Sequence, residues 1–130
     1  MKSTVKAALA AAVSLCAVQA AQADTLKMAF IDPLSGAMAS SGEPAYQSFV
    51  LAAEHINADG GVNGDMIEIL GLDNKISPKE SLIQLQVAID QGIRFIAQGN
   101  SSGVANALTD AISKHNRRNP DNRVLFLNYS

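Results

Sequence analysis

The sequence predicts an α/β protein, a doubly wound parallel sheet built in the order βαβαβαβ. Short apolar runs alternate with longer stretches whose apolar residues recur at helical spacing. The runs are continuous rather than alternating, as expected of strands buried on both faces of a parallel sheet with helices on either side. Breakers rich in Gly, Asn, Asp and Pro separate the two kinds of segment.

Leu26 to Ile31 is the first strand, and Asp32-Pro33-Leu34-Ser35-Gly36 breaks it. Tyr46, Phe49, Val50, Ala53 and Ile56 share one helical face, with Pro44 near the first turn, where proline is tolerated. Asn57-Ala58-Asp59-Gly60-Gly61 ends that helix, since Asn and Gly accept the left-handed backbone of a C-cap. Met66 to Leu72 is the second strand. Ser77-Pro78-Lys79-Glu80 has the spacing of a capping box, and the helix it opens carries Leu82, Ile83, Leu85, Val87 and Ile89 before Gly92 stops it. Ile93 to Ala97 is the third strand. The polar loop Gln98 to Gly103 leads to a helix with Val104, Leu108, Ala111 and Ile112 on one face. A polar turn around Pro120 precedes the fourth strand, Val124 to Leu127.

Ahead of this pattern, residues 1–23 read as a bacterial-type secretion signal. Lys2 and Lys6 open it, an apolar run follows from Ala7 to Val18, and Ala21-Gln22-Ala23 is a small-x-small cleavage site. The run is shorter than the roughly 20 residues a bilayer span needs. Leu15 stands before Cys16 where a lipid-anchoring signal wants a small residue, so Cys16 is expected to leave with the signal. The part beginning at Asp24 then has no cysteine, and neither disulfides nor thiolate chemistry is available to it. Without Lys2 and Lys6, eight basic residues face twelve acidic ones, a net charge of −4. There is no basic face with stacking aromatics, which argues against nucleic-acid binding. No cofactor motif appears, and the two histidines lack metal-ligand spacing. The 107 residues from Asp24 suffice for one domain, without a membrane span.

Ligands of doubly wound sheets bind beyond the carboxyl ends of the strands, near the point where strand order reverses. The loops Asp32 to Gly42, Asp73 to Ser77 and Gln98 to Gly103 qualify. Gly99-Asn100-Ser101-Ser102-Gly103 admits two readings. It satisfies G-x-S-x-G between strand and helix, which would make Ser101 a hydrolase nucleophile. His115 is 14 residues along the following helix, ~20 Å away at 1.5 Å per residue, so a base would have to come from elsewhere. Alternatively, the helix N-terminus presents free N–H groups and partial positive charge to a carboxylate, with Ser101 and Ser102 adding hydroxyls. The plainer alternative is that Ser101 or Ser102 merely caps its own helix, and capping by one serine leaves the other free. Ser35 is a plain turn residue or a ligand contact. Asp32 and Asp73, at strand ends, could bind an ammonium group, but are expected to be solvated or to satisfy loop N–H groups.

Pro33-Leu34-Ser35-Gly36, then Gly42, then Ile56-Asn57-Ala58-Asp59-Gly60-Gly61-Val62-Asn63-Gly64 resemble the periplasmic branched-chain amino-acid (Leu/Ile/Val) binding proteins of ABC transporters. The resemblance runs in order from Asp24 to Ser130 and covers about the first third of a family member. It implies a type I periplasmic binding fold, of which this chain is the N-terminal part of the first lobe, incomplete at the C-terminus. It also implies a non-catalytic, periplasmic protein that closes on an amino acid or related small carboxylate and delivers it to an inner-membrane permease. The family's carboxylate-binding serine falls on Ser102, with Ser101 its neighbour. Its first loop commonly places an aromatic residue where Ser41 stands, which leaves room here for a solute other than a branched aliphatic one. Tyr129, in the loop after the fourth strand, is a ligand contact or a strand-end residue. The ligand-binding set is therefore Ser102, Ser101, Ser35, Ser41 and Tyr129. A secreted serine hydrolase and an extracytoplasmic sensor domain are the alternatives.

Overall fold

The structure is a computed structural model and describes residues 24–130. The secretion-signal reading of residues 1–23, with Cys16, lies outside the described residues. Four strands, β1 (Thr25–Asp32), β2 (Met66–Asp73), β3 (Phe95–Gln98) and β4 (Leu125–Asn128), form one parallel sheet in the order β2-β1-β3-β4. They alternate with helices α1 (Ala39–Ala58), α2 (Pro78–Asp90) and α3 (Ser102–Arg118). The α/β class and the βαβαβαβ order read from the sequence are those observed.

The alternation of side chains along β1 sets the two layers. Ala29 and Ile31 point to one face, where they join Ile96, Leu85, Ala88, Val104, Leu108 and Ile112 in a core between the sheet and the pair α2–α3. Phe30 points to the other face and meets Tyr46 and Phe49 of α1, with ring centroids 5.7 and 5.1 Å apart. All three β1 residues are fully buried, which is why this strand reads as a continuous apolar run. On β4, Phe126 packs against the α2–α3 core, so Leu125 and Leu127 face the α1 side. They remain 64% and 47% exposed, because α1 covers only the β1–β2 half of that face.

The most distinctive sequence segment turns out to be structural. Asn57 clamps the backbone of Ile67 at the entry to β2, with Nδ2 donating to Ile67 O at 2.8 Å and Oδ1 accepting from Ile67 N at 2.7 Å. Gly61, at φ +74°, lets the chain fold back so closely that a Cβ would sit 2.1 Å from Asp65 O. The same clamp recurs at the other edge of the sheet, where Asn116 of α3 donates to Val124 O at 2.9 Å and accepts from Val124 N at 2.8 Å. At both edges of the sheet, at Ile67 in β2 and at Val124 just before β4, an asparagine from the preceding helix satisfies one backbone N–H and C=O pair, which blunts an otherwise open edge.

Helix α1 differs from the sequence reading. It begins at Ala39, directly after a short 3₁₀ turn at Gly36–Met38, so Pro44 lies inside the helix rather than in its first turn. The cause is tertiary: Gly42 is buried, with its Cα pressed on the Pro33 carbonyl, and this seating draws the preceding residues into the helix. Ser41 thus stands on a helical turn and not in a loop. Ser77 caps α2 as the spacing predicts, accepting from Glu80 N at 3.2 Å, but the Glu80 side chain bonds Gln84 instead of completing the box.

Candidate ligand-binding site

Strand order reverses between β1 and β3: the chain leaves β1 toward β2 on one side and leaves β3 toward β4 on the other. Their carboxyl ends therefore meet at the kind of switch point beyond which ligands of such sheets bind. Four of the five expected site residues gather around it. Ser101 is the N-cap of α3, its Oγ accepting from Val104 N at 3.4 Å. Ser102 is exposed at the first helical position. Its hydroxyl and the N–H groups of Ser102 and Gly103 have no hydrogen-bond partner among the described residues. One serine caps and the other is free, and the structure decides which. Ser41, from α1, donates its hydroxyl to Asn100 Oδ1 and so joins the start of α1 to the loop after β3.

Tyr129 lies across the end of the sheet. Its ring stacks on Phe30 at 6.1 Å and 25°, packs on Phe49 at 5.5 Å, and covers Gly99, where a Cβ would fall 2.0 Å from the ring. Its hydroxyl donates to Asp32 Oδ2 at 2.5 Å. Burial first, and then the hydrogen bond to Asp32 and the charge of that carboxylate, push the phenol well above its ordinary pKa. It is a fixed hydrogen-bond donor, and the residue as a whole is 40% exposed.

The fifth residue, Ser35, is drawn away. Its hydroxyl donates to Asp73 Oδ2 at 2.5 Å, while Leu34 N and Lys75 N each donate to Asp73 Oδ1 at 3.0 Å. Ser35 borders a separate hollow of about 270 Å³ with Gly36, Lys75 and Ile76. Burial acts to raise the Asp73 pKa, but the hydrogen bonds from Ser35, Lys75 and Leu34 and the charge of Lys75 outweigh it and leave the carboxyl below its ordinary value. A depressed folded pKa stabilises the fold above the ordinary carboxyl value, and this contribution is lost as pH falls through the folded one. In Ser35→Ala the Asp73 titration is expected to move upward, toward ordinary aspartate, in a carbon-13 NMR pH series. A titration coinciding with wild type would show that the Ser35 bond does not hold this loop.

Two residues were undervalued by the sequence reading. Gln98 belongs to β3 and is fully buried under the Ser101 turn, donating Nε2 to Ser101 O at 3.3 Å. Asn100 ties Ser41 to β1 by its side chain. Polar composition marked both as loop residues; nothing local marked them as anchors. Neither histidine stands near Ser101: His55 Nδ1 is paired with Leu51 O and His115 Nε2 with Asn122 O, each beside its own helix end. Among the described residues no cluster of His, Cys, Asp or Glu could hold a metal, and no helix is long and apolar enough to cross a membrane.

A family model for periplasmic binding proteins matches residues 25–128. The Leu/Ile/Val-binding protein homolog 4 of Brucella abortus is 39% identical over 118 residues, covering 91% of this chain and 28% of that protein. The leucine-specific-binding protein of Salmonella typhimurium is 30% identical over 96 residues, 74% of this chain and 26% of its own length. Among solved structures, the closed leucine-, isoleucine-, valine-, threonine- and alanine-binding protein of Brucella ovis superposes with a TM-score of 0.73 at 41% identity, over 82% of this chain and 27% of that one. The chain thus spans a little over a quarter of the length of these relatives. With its four-stranded parallel sheet and its strand-order reversal between β1 and β3, the chain belongs to the periplasmic binding protein family.

Proposed function

We propose that this chain carries the carboxylate-gripping half of the site of an extracytoplasmic solute-binding protein, which serves an ABC importer for a branched-chain-like amino acid or a related small carboxylate. The observation that carries the reading is the free N-terminus of α3. Among the described residues, Ser102 Oγ and the N–H groups of Ser102 and Gly103 have no partner at the positive end of a 17-residue helix, at the strand-order reversal. Binding is non-catalytic in this reading: Ser101 is engaged as a cap, and both histidines are bonded to carbonyls elsewhere. The names of the relatives support the ligand class. Export through residues 1–23 and hand-over to an inner-membrane permease are further parts of the same proposal.

A single face of a site holds its ligand loosely, because the donors stay hydrated until the ligand is enclosed. Titrating the chain with leucine, valine and an aromatic carboxylate is expected to shift the amide resonances of Gly99 to Gly103 with weaker than micromolar affinity. Ser102→Ala is expected to weaken that further by about tenfold, the usual scale for a hydrogen bond to a charged group. An unchanged affinity in Ser102→Ala would remove Ser102 from the site. Ester hydrolysis that disappears in Ser101→Ala would replace the binding reading with an enzymatic one.

A further inference from the structure

Asp32 is fully buried at the end of β1, yet no basic side chain pairs with it among the described residues. Its carboxylate instead accepts from four neutral donors: Gly99 N at 3.1 Å, Asn100 N at 3.2 Å, Asn100 Nδ2 at 3.0 Å and Tyr129 Oη at 2.5 Å. Burying a carboxylate without a cation is costly, and an apolar residue would serve packing alone better. What the four bonds accomplish is geometric. They pull the two residues before Ser101 down onto β1, and the N–H groups that follow at the start of α3, those of Ser102 and Gly103 included, have no hydrogen-bond partner among the described residues. They also orient the Asn100 amide so that its oxygen takes the Ser41 hydroxyl. And they pin the loop after β4 to the same point through Tyr129.

We propose that Asp32 is the positioning residue of the carboxylate site. Through Gly99, Asn100 and Tyr129 it fixes the donors at the start of α3 relative to α1 and β4, without touching the ligand. The proposal rests on the ligand reading of the α3 N-terminus given above. Precise placement of donors by a buried hydrogen-bonded support is what separates a site that binds from one that is merely present.

Asp32→Asn keeps the size of the side chain but turns an NH₂ group toward at least one of the four donors. It is expected to weaken leucine binding to the purified chain by at least about tenfold. The Gly99 and Asn100 amide protons are expected to move upfield in NMR spectra as their carboxylate acceptor is lost, while the core amides of Ala29 and Ile96 stay in place. Tyr129→Phe, which keeps the stacked ring and removes one donor, is expected to give smaller changes in the same direction. A folded Asp32→Asn protein with wild-type leucine affinity overturns the proposal. If that variant does not fold, unchanged affinity and unchanged Gly99 and Asn100 resonances in Tyr129→Phe overturn it. If the wild-type chain answers neither leucine nor the other carboxylates, the functional reading fails instead. The positioning role then stands or falls on whether the Ser102 and Gly103 amides shift in Asp32→Asn.

Discussion

Alanine at position 42 is expected to lower the unfolding free energy by about 3 kcal/mol, the upper part of the range for forcing extra atoms into a packed site. The new Cβ would lie 1.8 Å from the Pro33 carbonyl oxygen and 2.7 Å from its carbon. Both are backbone atoms, so no side-chain rotation gives relief. Either α1 slides or the exit of β1 moves, and each separates Ser41 from Asn100. Gly36 is the natural contrast. Its φ is +73° but nothing lies within 4 Å of its would-be Cβ, so Gly36→Ala meets only backbone strain of about 1–2 kcal/mol. Urea unfolding should show the larger fall in midpoint for Gly42→Ala, with the slope unchanged. A midpoint for Gly42→Ala equal to wild type would mean that α1 is not seated on Pro33.

Removing the Phe30 ring should be costlier still. Phe30→Ala is expected to destabilise by about 3–5 kcal/mol, as for other fully buried aromatic residues. Phe30 is the hub of the layer under α1, within 6.1 Å of the rings of Tyr46, Phe49 and Tyr129. Its loss also takes away the surface on which Tyr129 stacks, so the Tyr129–Asp32 bond is expected to loosen and the Gly99 and Asn100 amides to exchange faster. Phe30→Leu, which keeps most of the volume, should cost less than about 1.5 kcal/mol. Equal unfolding midpoints for the two variants would show that the volume filled at this position contributes nothing, whereas a Phe30→Leu midpoint equal to wild type would show that ring packing contributes nothing beyond volume.

Much of the fold was legible because periodicity and burial are tied directly. The second half of β1 reads as an apolar run because Ala29, Phe30 and Ile31 are buried on both faces, and the helical spacing from Val104 to Ile112 reflects one buried stripe. Helix starts marked by a serine, Ser77 and Ser101, were legible because a cap is a bond between residues three apart. The start of α1 was not, because it depends on a contact between Gly42 and Pro33 that no local pattern encodes. The loop after β2 was equally opaque. Lys75 and Ile76 have φ of +50° and +60°, a conformation no residue type there announces. It is held by the buried Asn74, which donates to Ile31 O at 3.2 Å and accepts from Ile76 N at 2.9 Å.

The site divides in the same way. Local chemistry in the sequence was enough to point to a serine-bearing helix start as a candidate place for a carboxylate, and to expect Asp32 and Asp73 either to be solvated or to satisfy loop N–H groups. Only the tertiary structure assigned the cap to Ser101 and left Ser102 free, drew Ser35 to Asp73, joined Ser41 to Asn100, and laid Tyr129 over Gly99 onto Asp32. The reason is range. A cap, a helical stripe or a breaker is settled within a few residues, whereas Asp32 meets donors 67 to 97 positions away. Those partners are chosen by the strand order β2-β1-β3-β4, which brings the ends of β1, β3 and β4 side by side and which no single segment of the sequence contains.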